Sequence, residues 1–377
     1  MNLSSADYVK VGISLSLTGN YSLQGNSAYL GLLQWINRVN RKGGLQCEGH
    51  TGMPVSLTIY DDQSFSNNLQ NNLKTLIDDD KIDIIFGPYS TNLVKSAASF
   101  CDQRGKMMWN HGGASKELHD YGYELLVSSL TPCDKYFLRL AEVTKVKFDS
   151  KLRVCRVINT TGEFSKSVAQ SAVDSFACKY GSDNIVTKDI EISAAAPTSV
   201  FQHIGSFMPD VIVFVGSYKQ DIEFVLNLSR EMMIKPQLIC LPAAGLDQFG
   251  NDAGDFGHMI VGPSQWEPCL RETSIYGPTL QEIKDSMHDG ASLDYVFMQT
   301  YGMGLIVEYC VEMCKSLDDQ LLRKAVNDVD IKTVFGKFVI DSNNGIQVGH
   351  DMNLIQWQNG YKRLLTDTGK EWEPFYG

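Results

Sequence analysis

Thr91 and Ser115 are two hydroxyl side chains set where helices begin, each just beyond a short apolar run. The stretch Ile84 to Leu118 reads as one unit. Ile84-Ile85-Phe86 has the continuous apolar character of a strand buried on both faces. Gly87-Pro88 stops it, and Tyr89-Ser90-Thr91-Asn92 leads into a helix with Leu93, Ala97 and Phe100 at three- and four-residue steps. Gly105 ends that helix. Lys106 to Trp109 makes a second short strand, running into Asn110-His111-Gly112-Gly113-Ala114-Ser115. The chemistry such turns offer is anion and polar-group binding. A helix start presents free backbone N–H groups and a positive dipole end, and glycines let a ligand approach the main chain. Ser and Thr also cap helices where nothing binds, Ser115 included, and for either residue alone the two readings stand level. Two such turns on neighbouring strands tilt the balance toward a ligand site.

Other reactive constellations are scarce. His111 and the pair Asp61-Asp62 fall at strand ends on the ligand side, the residue types of a hydrolytic His–Asp pair, but no activated nucleophile accompanies them. The chain has no G-x-S-x-G, no G-x-x-x-x-G-K-[ST], no H-E-x-x-H and no G-x-G-x-x-G after a strand. The expectation is therefore no enzyme and no cofactor, with Asp61-Asp62 tying the next turn and His111 a satisfied structural histidine. The nine cysteines are odd in number and form no C-x-x-C. Cys310 and Cys314 share a helix face, but two thiols make a poor zinc site. No metal is expected, and most of the nine should be small buried hydrophobes.

These turns need a scaffold, and the rest of the chain supplies its pattern. With 377 residues there is length for two domains and a large core. Hydrophobic content of 43% and charged content of 20% are those of a globular protein. A net charge of −11 without a basic tract argues against nucleic acid as a partner. No apolar run approaches the ~20 residues of a membrane helix. Met1-Asn2-Leu3-Ser4-Ser5 lacks the basic start and apolar centre of a secretory leader, so the expectation is either a cytosolic chain or one from which a leader has been removed. Four N-x-[ST] sequons, at Asn2, Asn20, Asn159 and Asn227, barely move that estimate.

In order, Tyr8 to Leu17 alternates as a strand, Ala28 to Asn40 is helical, Val55 to Tyr60 is a strand ending in Asp61-Asp62, and Leu69 to Ile77 is helical. With the opening stretch this is βαβαβα, the signature of a doubly wound parallel sheet. The rhythm restarts near Leu130-Thr131-Pro132. Tyr136 to Val143 reads as helix, Arg153 to Ile158 as strand, Ser165 to Tyr180 as helix and Ile185 to Ile192 as strand. A small-residue turn, Ser193 to Pro197, precedes a helix over Val200 to Phe207. Val211 to Val215 is a buried strand ending in Gly216-Ser217-Tyr218, Ile222 to Met233 a helix, and Gln237 to Leu241 a strand ending in Pro242-Ala243-Ala244-Gly245. After Gly262-Pro263-Ser264-Gln265-Trp266 helices return over Leu280 to Met287, Asp294 to Lys315 and Leu321 to Asn327. Thr333 to Ile340 and Asn353 to Trp357 look like late antiparallel strands, with Gln358-Asn359-Gly360 as a turn. The fold class is α/β, with two halves alike in plan.

The segments VGISLSLTGNYSLQGN, INRVNRKGGL, LTIYDDQS, IIFGPYST, NHGGASKEL, VFVGSYKQD, MQTYGMGLIVEYC and VFGKFVIDSNNG, in this order and spacing, resemble the type I periplasmic solute-binding proteins. The resemblance is to the branched-chain amino-acid (leucine/isoleucine/valine) binding family of ABC transporters, and it spans nearly the whole chain. It implies two doubly wound, Rossmann-like lobes joined by a three-crossing hinge, a clamshell closing on a small ligand. Lobe one would be 1–130 plus 265–341, and lobe two 131–264 plus 342–377. It also implies a monomer outside the cytoplasm, periplasmic or extracellular, that delivers ligand to a membrane permease. The same clamshell serves elsewhere as the sensory domain of a receptor or as a ligand-controlled regulator, with a signalling partner in place of the permease.

Carried over residue by residue, the resemblance places the ligand carboxylate on Thr91, with Ser90 adjacent. Gly112, Gly113, Ala114 and Ser115 would supply backbone and hydroxyl groups. Phe164 and Tyr218 would cover the ligand from lobe two, where cation–π contact suits an ammonium. Tyr21, Tyr89 and Trp266, with Trp109, would make the cleft aromatic; for Trp109 on its strand, the core is as natural a place. One departure bears on specificity. Amino-acid binders of this family place an acidic residue in the turn that here reads Pro242-Ala243-Ala244-Gly245, and Asp247 is the nearest carboxylate. A buried unpaired ammonium is costly. Amino acids, aromatic acids, amides, purine-like molecules and other small organic acids all stay open as ligands, with Ala243 marking the difference.

Overall fold

The structure is a computed structural model, and it describes residues 8–47, 50–159, 162–192, 197–231, 234–270, 274–287, 293–366 and 372–375. The chain divides into two compact units, Met1–Pro132 with Leu270–His350, and Cys133–Cys269 with Asp351–Gly377, so it passes between them three times.

The first unit is built on a five-stranded parallel sheet. Its order is Val55–Asp61, Val9–Leu15, Ile84–Phe86, Met108–Asn110, Leu126–Ser128. Taken along the chain that is 2-1-3-4-5, a doubly wound sheet whose strand order reverses between Val9–Leu15 and Ile84–Phe86. Ile84, Ile85 and Phe86 are all buried, as a strand covered on both faces requires. One face is covered by Ser66–Lys74 and Thr91–Asp102, through Leu69, Leu73, Leu93, Val94 and Ala97. The helices Ser22–Arg41 and Tyr295–Cys314 pack tightly on each other. A Cβ on Gly31 would lie 2.2 Å from the Phe297 carbonyl oxygen, so glycine permits the approach. The pair is closed by buried Glu308, which accepts from Trp35 Nε1 at 3.2 Å, Arg38 at 2.7 Å and Lys42 at 3.0 Å.

The second unit carries a seven-stranded sheet in the order Tyr361–Leu364, Asn353–Gln358, Val261–Ser264, Leu238–Cys240, Val211–Val215, Leu152–Ile158, Ile185–Glu191. The last five are parallel and repeat the 2-1-3-4-5 plan; the first two are antiparallel additions. Here the order reverses between Leu152–Ile158 and Val211–Val215.

Several elements depart from the sequence reading. The region expected as a helix over Tyr136 to Val143 is a 3-10 turn, Cys133–Lys135, followed by a single α turn, Leu140–Val143. Its backbone is tied instead by side chains of the next helix, where Ser171 and Ser175 accept the Phe137 and Ala141 N–H groups. Thr333 to Ile340 is not one strand but a hairpin, Ile331–Thr333 and Gly336–Phe338, with Gly336 at φ 140° in the turn. The first helix starts six residues earlier than its apolar stripe suggests, at Ser22 rather than Ala28. Leu126–Ser128 and the hairpin Leu45–Cys47/His50–Met53 are strands that three- and four-residue patterns do not betray. The turn Ser193 to Ala196, residues 160–161 and Met233 lie outside the described residues. Six cysteines are buried, none of the nine is in a disulfide, and no described helix is long and apolar enough to cross a membrane.

Candidate functional site

In an open α/β sheet the crevice for a ligand opens beyond the carboxyl ends of the strands, where the order reverses. In the first unit those strands end at Leu15 and Phe86. Their continuations carry Tyr21 and Tyr89, whose rings lie 6.3 Å apart. Both are half-buried, and the Tyr295 hydroxyl hydrogen-bonds Tyr89.

The helix after Ile84–Phe86 begins at Thr91, with Ser90 as its cap. Ser90 sits at φ 87°, ψ 142°, a conformation open to glycine and strained for any L side chain. Two contacts hold it there: its N–H donates to the Gly112 carbonyl at 3.1 Å and its hydroxyl accepts from Leu93 N–H at 3.4 Å. Such strain persists only where surrounding structure imposes it, and it gathers at functional sites. Ser90→Gly should therefore raise stability by about 1 kcal/mol, since the strain is worth ~1–3 kcal/mol and glycine forfeits only a few tenths as a cap. Urea unfolding checks this, and an unchanged or lowered midpoint would show that the conformation is not strained.

The neighbouring turn, Asn110 to Ser115, is buried throughout. Asn110 shapes it, a role the sequence reading missed. Its Oδ1 accepts from Gly112 N–H at 3.1 Å and Gly113 N–H at 2.9 Å, and its Nδ2 donates to the Gly113 carbonyl and to Ser128 Oγ, both at 2.7 Å. An asparagine at the end of an apolar run, followed by two glycines, is the only local signal for such a turn. His119 continues the chain of bonds. Its Nδ1 faces the Asn344 carbonyl at 2.7 Å, which assigns the proton there, so Nε2 accepts from Ser128 Oγ at 2.8 Å. Ser115 is buried but does not cap the following helix; that helix, Glu117–Asp120, has no side-chain cap, and Leu118 N–H bonds the Ser115 carbonyl.

The acid and base candidates are structural in geometry. His111 is fully buried beside Phe86, and burial lowers its imidazole to about 4, so it is neutral at physiological pH. Thr300 Oγ1 donates to the Val296 carbonyl and therefore accepts from His111 Nδ1 at 2.9 Å. The buried Nε2 has no hydrogen-bond partner among the described residues, so the histidine is satisfied at one ring nitrogen and not, as expected, at both. Asp61 accepts from Leu17 N–H, Thr18 N–H, Thr18 Oγ1 and Gln63 N–H. Burial opposes ionisation of Asp61, but these bonds outweigh it and hold its carboxyl below the usual value. Asp62 is buried, which pushes it up despite bonds from Ser16 and Ser64. Both carboxylates clasp the loops after Val9–Leu15 and Val55–Asp61. Trp109 is 1% exposed and belongs to the core.

In the second unit the order reverses at Ile158 and Val215. Ser165 bridges these ends, accepting from Asn159 N–H at 3.0 Å and donating to the Val215 carbonyl at 2.8 Å. Phe164, one residue earlier, is half-buried with its ring edge-on to Tyr136 at 5.8 Å. Tyr218 opens the helix Tyr218–Glu231, half-buried, and donates to Asp252 Oδ2 at 2.7 Å. Ala243 and Trp266 are 5% and 3% exposed. The turn Pro242–Gly245 is anchored from three sides: Trp357 Nε1 donates to the Ala244 carbonyl, Lys362 Nζ to the Gly245 carbonyl, and Asp221 Oδ2 accepts from Ala243 N–H. Lys362 is itself buried between Asp247 and Glu267, at 2.7 Å from each. Burial opposes its charge, but the two carboxylates outweigh it and hold the ammonium above the usual lysine value. Asp247, the nearest carboxylate to that turn, is thus engaged by Lys362.

So the first unit brings Tyr21, Tyr89, Ser90, Thr91 and Gly112 to Ser115 to the strand ends at its point of reversal and the strand beside it. The second brings Phe164 and Tyr218 to its own, with Ala243 on the adjacent turn. Among the described residues, no group of three His, Cys, Asp or Glu side chains is placed to hold a metal ion.

Two doubly wound α/β units, crossed three times by one chain and bearing small-residue turns at their strand ends, have the plan of the type I periplasmic-binding fold. The chain belongs to the periplasmic binding protein family, whose model matches residues 8–362. It is 23% identical over 380 residues to the Leu/Ile/Val-binding protein homolog 7 of Brucella abortus, covering 96% of this chain and 92% of the relative. It is 23% identical to the leucine-specific-binding protein of Salmonella typhimurium, covering 93% and 91%. Among solved structures, a leucine binding protein from Thermotoga maritima matches with a TM-score of 0.79 at 16% identity, covering 94% of this chain and 97% of that one. A solute binding protein of an ABC transporter from R. palustris, in complex with benzoate, matches with a TM-score of 0.78 at 17% identity, covering 95% of both chains.

Proposed function

We propose that this protein captures a small carboxylic acid outside the cytoplasm and delivers it to the membrane permease of an ABC transporter, acting as a monomer and without chemical turnover. Capture proceeds by hinge closure, the motion this family's two-lobed plan permits. The observation that carries the reading is the Ser90–Thr91 helix start, held in a strained conformation against the glycine turn at Gly112. Free N–H groups, the helix dipole and the Thr91 hydroxyl there suit a carboxylate.

The relatives narrow the ligand. One solved structure holds isoleucine and another benzoate; a carboxylate is what these share, and an ammonium is what benzoate lacks. In this chain the turn Pro242–Gly245 contains no acidic residue and Asp247 is held by Lys362. That supports an aromatic or other amine-free acid over an α-amino acid. Phe164 and Tyr218 are suited to an aromatic ring.

The test is a thermal-shift and calorimetric comparison of benzoate, L-leucine and L-isoleucine. A ligand that binds only the folded state raises the melting temperature. Benzoate-type acids should do so more than the amino acids, and Thr91→Ala combined with Phe164→Ala should abolish the effect while circular dichroism stays unchanged. Normal affinity in that double variant would refute the site, and a stronger response to leucine would refute the amine-free assignment.

A further inference from the structure

Asp221 lies beneath two strand-end turns of the second unit at once. It is 2% exposed. One carboxylate oxygen accepts from Gly216 N–H at 2.9 Å, and the other accepts from Ala243 N–H at 3.2 Å. The helix start is closed by different groups: Ser217 N–H donates to Gln220 Oε1 at 2.9 Å, and Ser217 Oγ accepts from Gln220 N–H at 3.4 Å. Asp221 is therefore not needed as a cap. Its second oxygen leaves the helix and reaches a turn on the next strand. Burying a carboxylate on backbone amides alone is costly, and a neutral side chain would fill the space at lower cost.

We propose that Asp221 is a positioning residue for ligand binding, holding the turns Gly216–Tyr218 and Pro242–Gly245 in one register so that Tyr218 and Ala243 are presented together. This rests on the reading that those turns touch the ligand. The two bonds need two accepting oxygens. A protonated carboxyl offers one good acceptor, so the register loosens on protonation. Burial pushes Asp221 up to about 7, which brings that loosening into the physiological range. The ionisable group facing it is Tyr218 on its own helix, kept neutral by burial and by Asp252, which accepts from the Tyr218 hydroxyl. Lys219 and Glu223, exposed on the same helix, lie 3.9 Å from each other. Asp247, beyond the Ala243 turn, pairs with Lys362.

The experiment follows the backbone amide signals of Gly216 and Ala243 in ¹⁵N-labelled full-length protein from about pH 5 to about pH 9, a range that spans the raised carboxyl. Benzoate, L-leucine and L-isoleucine affinities are measured across the same range. The expected result is that both amides titrate with one midpoint near 7 and that Asp221→Asn abolishes the transition. Wild-type affinity for the binding probe falls about tenfold or more toward acid, while the variant shows a weaker, flat profile. A purely structural aspartate would not impose the amide midpoint on affinity. Amides that stay fixed, or an affinity that ignores the midpoint, overturn the proposal. If no probe binds the wild type at any pH, the functional reading fails; the amides then still decide whether Asp221 sets the register. If Asp221→Asn does not fold, the wild-type titration decides by itself.

Discussion

Gly112→Ala should lose about 3 kcal/mol of stability or more and reduce ligand affinity beyond measurement. A Cβ at Gly112 would stand 2.2 Å from the Pro88 carbonyl oxygen and 2.7 Å from Tyr89 Cα. Both neighbours are backbone, so no side-chain rotation relieves the clash; one turn must move. Overpacking of this kind costs ~1–3 kcal/mol in ordinary cores, and more where backbone resists. The displacement falls on the bond between Ser90 N–H and the Gly112 carbonyl, which holds Ser90 at its positive φ. The same substitution at Gly205 is the control. Nothing lies within 4 Å of a Cβ there, and alanine in that helix should add about 0.5–1 kcal/mol. Urea unfolding and calorimetry on both variants check the pair of outcomes. Wild-type stability in Gly112→Ala would mean the two turns are not in the contact described.

Lys362→Met should be comparably damaging, and its effect should depend on pH. Removing the ammonium leaves Glu267, 4% exposed, without its cation at 2.7 Å. Breaking a buried pair from one side costs about 3–5 kcal/mol. Burial already raises Glu267, against the opposing pull of Lys362. Without the lysine its folded-state carboxyl rises further above its unfolded value. A group raised in the folded state contributes stability that is present at low pH and lost as pH climbs through its folded value. The deficit of the variant should therefore be smaller near pH 5, close to the ordinary carboxylate value of about 4.3, and larger near pH 8, growing as pH climbs toward the raised folded value of Glu267. Chemical denaturation at those two values measures it. A deficit equal at both would mean Glu267 finds another partner. Because Lys362 also holds the Gly245 carbonyl, loss of the register at Ala243 should accompany the loss of stability.

The elements beside the candidate site were legible where local pattern and tertiary role coincide. Ile84–Phe86 is apolar because both its faces are covered, and the run shows this directly. Thr91 stands at its helix start because Gly87-Pro88 stops the strand. Tyr295–Cys314 was readable to within one residue at each end, as Asp294 to Lys315, since an apolar stretch of that length is too long for a strand; Asp294 proves to be its cap, and the helix is buried on nearly every side. Pieces without a distinct apolar run or turn signal of their own were missed or misread. Leu126–Ser128 is a strand only because Met108–Asn110 lies beside it. The stretch after Pro132 carries helical spacing, yet Ser171 and Ser175 take the N–H groups of Phe137 and Ala141, and only one α turn forms.

By itself the amino-acid order determined a doubly wound α/β plan, repeated along the chain, with glycine- and hydroxyl-bearing turns at the strand ends. Those features are written in periodicity and in residues that favour turns, which act over a few positions. Only the tertiary structure decided how the turns are held. Asp221 reaches Ala243 across 22 residues, Lys362 reaches Glu267 across 95, and Gly112 packs on Pro88 from the next strand. Each is a contact between groups far apart in the chain, made by folding and strong only once water has been excluded from around it.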